Sequence, residues 1–141
     1  SETLKLASRY LERLTCTKYR RIWAPIGDKH LFVDDEQGQS FRVEHLSSGT
    51  REQVFLAVRL AMSREFADRG AALPLVLDDV TVNFDQVRTE AAVETLLEIA
   101  ERGQQVLLFT CHLHLANLFK NHGIEPVWLP ANAASEFRYA S

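Results

Sequence analysis

The chain has 141 residues, 46% hydrophobic and 25% charged, the make-up of one globular domain. That composition excludes collagen-like and disordered readings, and no apolar run approaches the roughly 18 residues of a membrane span. A net charge of −3 excludes a strongly basic nucleic-acid-binding domain. Ser1-Glu2-Thr3-Leu4-Lys5 does not read as a secretory signal, which would need a basic stretch followed by an apolar one. Cys16 and Cys111 are too few for a disulfide scaffold and have no zinc-type spacing. Two reduced thiols in a cytoplasmic protein with no membrane partner is the expectation.

Residues 1–14 read as a helix. Leu4, Ala7, Leu11 and Leu14 follow the 3, 4, 3 spacing of a coiled-coil seam. An amphipathic helix packed on its own domain explains the same spacing. Residues 18–44 read as strands, around Tyr19, Ile22 and Trp23, around Leu31, Phe32 and Val33, and around Phe41 and Val43. Asp34-Asp35-Glu36-Gln37-Gly38 is the hairpin turn, with Gly38 supplying a positive φ.

From residue 46 the pattern alternates helix and strand. Val54, Val58, Ala61 and Met62 recur at helical spacing, and that helix ends near Gly70. Leu73-Pro74-Leu75-Val76-Leu77 suits a parallel strand buried on both faces. Val93, Leu96, Leu97 and Ala100 stripe the next helix, which stops at Arg102-Gly103. Residues 105–110 form a second buried strand. Leu115, Leu118 and Phe119 mark a short helix closed near Gly123, and Pro126-Val127-Trp128-Leu129 a third strand. Such alternation implies βαβ crossovers and a mostly parallel sheet. Residues 131–141 are a weakly patterned C-terminal tail.

Ligands of open α/β sheets sit beyond the carboxyl ends of the strands. Leu46-Ser47-Ser48-Gly49-Thr50-Arg51-Glu52-Gln53 opens a long helix. Its small residues leave N–H groups exposed where the helix dipole favours an anion, most often phosphate. An ordinary N-cap by Ser47, Ser48 or Thr50 is the plainer explanation. Asp78-Asp79 follows the first parallel strand. One carboxylate there can hold Mg²⁺ through water, and the other can orient a water nucleophile. A solvated acidic loop explains the pair equally well. Thr110-Cys111-His112-Leu113-His114 follows the second strand. His112 there can donate a hydrogen bond to phosphate. His114 reads as a surface or packing residue.

The order and spacing of the three clusters resemble the C-terminal lobe of an ABC-type ATPase head. The branch is the one shared by SMC-type chromosome proteins and DNA-repair ATPases. Leu46-Ser47-Ser48-Gly49 with Gln53 matches the signature pattern Leu-Ser-x-Gly-x-x-x-Gln. Leu73 to Asp79 matches a Walker B strand. Val82-Asn83-Phe84-Asp85 resembles the D-loop, and Phe109-Thr110-Cys111-His112 the switch-histidine loop. The wording of these segments is similar to a bacterial YhaN-like group of large coiled-coil ATPases. The resemblance covers residues 7 to 130.

The resemblance implies an α/β fold, the P-loop NTPase type in its C-terminal lobe. Residues 1–15 would be the end of a coiled-coil arm or an amphipathic helix, and 16–45 a β-hairpin region. Residues 46–130 would be the ATPase lobe and 131–141 its tail. Asp78 would hold the Mg²⁺ of ATP through water. Asp79 would stand at the general-base position, which is more often Glu. Being one methylene shorter, it implies slow turnover. His112 would sense the γ-phosphate. Ser47 and Gly49 would contact the γ-phosphate of a nucleotide held by an opposite head. Ser48, Gln53 and the D-loop acid Asp85 complete that nucleotide-binding set.

There is no Gly-x-x-x-x-Gly-Lys-Ser/Thr in the chain, so nothing in it cradles the β- and γ-phosphates. The resemblance places that loop in an N-terminal lobe beyond a long coiled coil. The implied partners are that lobe, a second head and, through the family's roles in repair and chromosome segregation, DNA. The chain alone is expected to be inactive, and a complete head to hydrolyse ATP. Two alternatives remain open. One is a non-hydrolysing interaction module on the same fold. The other is a receiver-like phosphoacceptor domain, although Lys occurs only at 5, 18, 29 and 120, and no separate acceptor Asp with a nearby Lys is evident. Lys18-Tyr19-Arg20-Arg21 is a small basic cluster that suits DNA or a solvated strand face.

Overall fold

In a computed structural model that describes residues 1–130, α1 spans Glu2–Leu14. The segment 131–141, read above as a tail, lies outside the described residues. Ser1 caps α1, its Oγ accepting from the Leu4 N–H at 3.3 Å. Glu2 in the first turn and Arg13 in the last suit the helix dipole. The stripe of the 3, 4, 3 spacing is internal to the lobe. Ala7, Leu11 and Leu14 are fully buried, and α1 packs on α2 (Ser48–Asp68), β1 (Tyr19–Trp23) and α3 (Gln86–Glu101). An Arg13–Glu98 ion pair also joins α1 to α3.

β1, β2 (Phe32–Asp35) and β3 (Ser40–Arg42) form an antiparallel sheet in that order. Ile22 pairs with Val33, and Val33 with Phe41. Trp23 stacks on Phe32 at 4.9 Å and donates from Nε1 to Asp34 Oδ1 at 2.8 Å. The turn forms where expected. Gly38 has φ +82°, and Asp35 Oδ1 accepts from the N–H groups of Gln37 and Gln39. Val43, read as part of the third strand, instead opens a single 3₁₀ turn, Val43–His45, that leads into α2.

α2 buries Val54, Leu56, Ala57, Leu60 and Ala61, one broad face of the helix. Met62, placed in its core stripe by spacing, is exposed. It lines a shallow apolar depression with Phe66, Leu73, Pro74 and Val76. Gly70, with φ +89°, lets the chain turn back after the helix.

β4 (Leu75–Asp78) and β5 (Val106–Phe109) pair in parallel, Leu75 with Val106 and Asp78 with Phe109. Among the described residues they are the whole parallel sheet, and the other three strands are antiparallel. Two expectations change here. Leu75 and Leu77 are buried, but Val76, Leu107 and Phe109 are each 40–47% exposed. One face of the parallel pair is therefore open, because this chain supplies a single cover where such strands take two. Pro126–Leu129 forms no strand, and Val127, Trp128 and Leu129 are exposed. An apolar tetrapeptide becomes a strand only by pairing, and these residues have no ladder.

The described residues divide into two compact units, Ser1–Cys111 and a second that begins at His112. The elements above, with α3, belong to the first. In the second, α4 spans Leu113–Asn121 with Leu115 buried, and Gly123 (φ +85°) closes it.

Candidate functional site

The segment 47–53 forms the first turns of α2. Ser47 is the N-cap, its Oγ accepting from the Thr50 N–H at 3.3 Å. The same hydroxyl donates to Thr50 Oγ1 at 2.9 Å. Ser48 is exposed. Gly49 is buried, and here glycine is needed for room. A Cβ would lie 2.6 Å from Arg88 Nη1 and 2.7 Å from the Asn83 carbonyl oxygen. Gln53 is also buried and points away from this surface, donating from Nε2 to the Leu14 carbonyl at 2.8 Å.

The loop between β4 and α3 packs on these turns. It folds as two tight turns, with the Val82 N–H on Asp79 O and the Phe84 N–H on Thr81 O. Asp85 then caps α3, its Oδ1 accepting from the Arg88 N–H at 2.8 Å. Arg88 turns back from that cap. Its Nη2 donates to Thr50 Oγ1 at 3.2 Å, and its Nε lies 4.0 Å from Asp85 Oδ2. Asn83 Nδ2 donates to Glu52 Oε1 at 2.6 Å. Ser47 and Asp85, singled out on different motifs, thus meet through Thr50 and Arg88.

Asp78 ends β4 and is exposed. Asp79 has φ +47°, a left-handed conformation Asp tolerates better than most residues. Its N–H donates to Phe109 O at 3.0 Å, which continues the β4–β5 ladder. Its carboxylate faces the end of β5. Oδ1 accepts from the Cys111 N–H at 3.4 Å and Oδ2 from the Cys111 thiol at 3.8 Å. In the second unit, His112 is the N-cap of α4, and its ring lies 5.7 Å from that of His114.

No family model matches the chain. It is 35% identical over 123 residues to the uncharacterized protein YhaN of Bacillus subtilis, which covers 86% of this chain and 12% of that protein. It is 31% identical over 85 residues to the DNA double-strand break repair Rad50 ATPase of Sulfolobus acidocaldarius, 60% of this chain and 9% of that one. Among solved structures, the Smc head domain of Pyrococcus furiosus bound to the C-terminal domain of ScpA matches with a TM-score of 0.63. That match has 14% identity and covers 83% of this chain and 30% of the other. The SMC head domain of Thermotoga maritima matches at 0.61, with 17% identity over 83% and 40% of the two chains. The fold is that of the C-terminal lobe of an SMC-like, ABC-type ATPase head. The chain spans 12% and 9% of the YhaN and Rad50 relatives' lengths.

In this SMC-like lobe the residues read from sequence fall into two groups of the first unit, plus His112 in the second. Ser47, Gly49 and Asp85 belong to one packed surface, while Asp78 and Asp79 sit at the β4 end. The exposed Asp78 oxygens are hard donors of the kind that bind Mg²⁺ with phosphates and water. The sequence named Thr50 only as an alternative cap and gave no role to Glu52, Asn83, Arg88 or Cys111. All but Arg88 lay inside motif segments already quoted, so proximity was their signal. Arg88 lies one helical turn past Asp85 and carried no signal without the fold.

Proposed function

We propose that this lobe supplies half of an ATP-hydrolysing head, completed by an N-terminal lobe bearing the phosphate-binding loop and by a second head across a dimer interface. The observation that carries the reading is the packing of Ser47–Gly49 onto the 82–85 loop through Arg88 and Asn83. It makes the signature and D-loop segments one surface, as an interface that closes over nucleotide requires.

Each residue's role follows from its position. Asp78 would hold Mg²⁺, which neutralises developing charge on the phosphates when bound. Asp79 would accept a proton from, or orient, the attacking water. Ser47 and the first N–H groups of α2 would donate to a γ-phosphate presented by the opposite head, aided by the helix dipole. Gly49, Ser48 and Asp85 shape that surface, Gln53 anchors it from below, and His112 would sense a γ-phosphate. The open face at Val76, Leu107 and Phe109 is where the N-terminal lobe would supply the second cover.

A role in DNA repair or chromosome maintenance fits the Rad50 relative. Arg20 and Arg21 would lie on a DNA-facing strand, although Arg21 already pairs with Asp34 and lies over the Trp23 ring. A second reading, a nucleotide-binding module with little turnover, draws on Asp79 itself. Its carboxylate is short and already engaged by Cys111.

The test is ATP turnover by this lobe alone and by the intact protein. The lobe alone is expected to be inactive, and the intact protein to hydrolyse ATP and lose that activity on Ser47→Arg. ATP binding without measurable hydrolysis by the intact protein would favour the second reading. No binding at all would contradict both.

A further inference from the structure

The guanidinium of Arg88 belongs to none of the motifs, yet beside the Asn83–Glu52 bond it brings two of them together. Three observations converge on it. Its Nη2 donates to Thr50 Oγ1, the same oxygen that accepts the Ser47 hydroxyl proton. Its backbone N–H and Nε face the two carboxylate oxygens of Asp85. Its Nη1 occupies the space that any side chain at residue 49 would need.

The chain of contacts therefore runs Ser47, Thr50, Arg88, Asp85. Thr50 Oγ1 contacts both Ser47 Oγ and Arg88 Nη2, so one oxygen ties the cap of α2 to the guanidinium. The positions of Ser47 Oγ and of the free N–H groups of the turn are fixed as a result, and the hydroxyl can turn its proton outward when an anion arrives. A planar guanidinium can serve Thr50 and Asp85 together because its donors diverge in a fixed fork. A lysine ammonium has donors enough for both, but on a flexible stem and without a fixed fork it holds the two partners less rigidly. The Asn83–Glu52 hydrogen bond runs alongside and stops the loop from pivoting about Arg88.

We propose that Arg88 is a positioning residue for ATP turnover, a latch that sets the Ser47 hydroxyl and makes the start of α2 move with the Asp85 loop as one body. This rests on the reading above that the surface acts on nucleotide. The latch touches no nucleotide, so its loss leaves ATP binding by a single head intact and slows the step that needs the assembled surface.

The experiment compares wild type, Arg88→Ala, Arg88→Lys, Thr50→Val and the Arg88→Ala/Thr50→Val pair in the intact protein, with Ser47→Arg as reference. Each is measured for kcat, for affinity for a non-hydrolysable ATP analogue and for thermal midpoint. Arg88→Ala and Thr50→Val each lower kcat about tenfold, the scale of one charge-assisted hydrogen bond. Analogue affinity stays within about twofold, because each variant spares the phosphate-binding loop. Arg88→Lys falls between wild type and Arg88→Ala, and the double variant is no slower than the slower single, since both remove one contact.

Multiplying effects in the double variant would overturn the latch, as would wild-type kcat in Thr50→Val and Arg88→Ala when Ser47→Arg is dead. Full activity in Ser47→Arg would instead contradict the functional reading itself. Thr50→Val is nearly isosteric, so it decides the matter even where Arg88→Ala lowers the thermal midpoint.

Discussion

Gln53 Nε2 donates to the backbone carbonyl of Leu14 at 2.8 Å, with both residues fully buried. The bond ties the second turn of α2 to the last residue of α1, 39 positions earlier. It also satisfies an end-of-helix carbonyl that has no partner within its own helix. Gln53→Ala leaves that carbonyl unsatisfied in the interior. The expected loss is about 1–3 kcal/mol in a urea titration. An unchanged midpoint would show that water replaces the amide without cost.

Gly49→Ala tests the packing of the α2 start on the 82–85 loop. Arg88 can swing aside, but the Asn83 carbonyl is backbone and cannot do so cheaply. The expected destabilisation is about 1–3 kcal/mol, as for other overpacked sites. Gly70→Ala is a useful contrast: it meets open space and only the strain of φ +89°. Equal stability of Gly49→Ala and wild type would mean that the loop does not press on residue 49.

Much of this architecture is legible in the residues themselves. The α2, α3 and α4 boundaries follow from Gly70, Gly103 and Gly123, which all adopt positive φ. The β2–β3 turn follows from Asp35 and Gly38. Met62, Val76 and the 126–129 segment are where spacing misleads, and all for one physical reason. An apolar pattern reports what a residue would be buried against, and the cover need not lie in the same chain segment. The candidate site shows a similar limit. Serines, glycine and acids at helix starts and strand ends can be seen in sequence, but Arg88 becomes significant only when α3 places it beside Thr50. Gln53 shows the converse, a motif glutamine whose side chain is committed to the core.

The open face of the parallel pair predicts how the lobe behaves without its complement. Val76→Asp and Leu107→Asp should leave the lobe folded, because both side chains are partly exposed in it. Both should prevent stable association with a separately expressed N-terminal lobe. Size-exclusion chromatography of the mixed lobes reads this directly. Normal association of both variants would place the joint elsewhere.

Tyr10 supplies a pH dependence. Its burial pushes the phenol above the ordinary value of 10.0, against the opposing pull of Arg64, Arg102 and Arg13. The folded state thus holds the proton more tightly than the unfolded chain. Its contribution is complete below the unfolded value and is lost as pH rises through the folded one. Tyr10→Phe has no such proton, so its stability should decline less steeply above a pH of about 10. Identical slopes for the two proteins in urea titrations across that range would contradict the assignment.

The central claim is that Asp79 serves ATP hydrolysis and Ser47 acts at a second head. The most direct measurement is single-turnover ATP hydrolysis by the intact protein carrying Asp79→Asn. The amide keeps the side-chain shape and the tolerance for φ +47° but removes the carboxylate. The account predicts normal ATP binding with hydrolysis reduced about a hundredfold or more, the scale of lost general-base assistance. Hydrolysis at the wild-type rate in Asp79→Asn would contradict it.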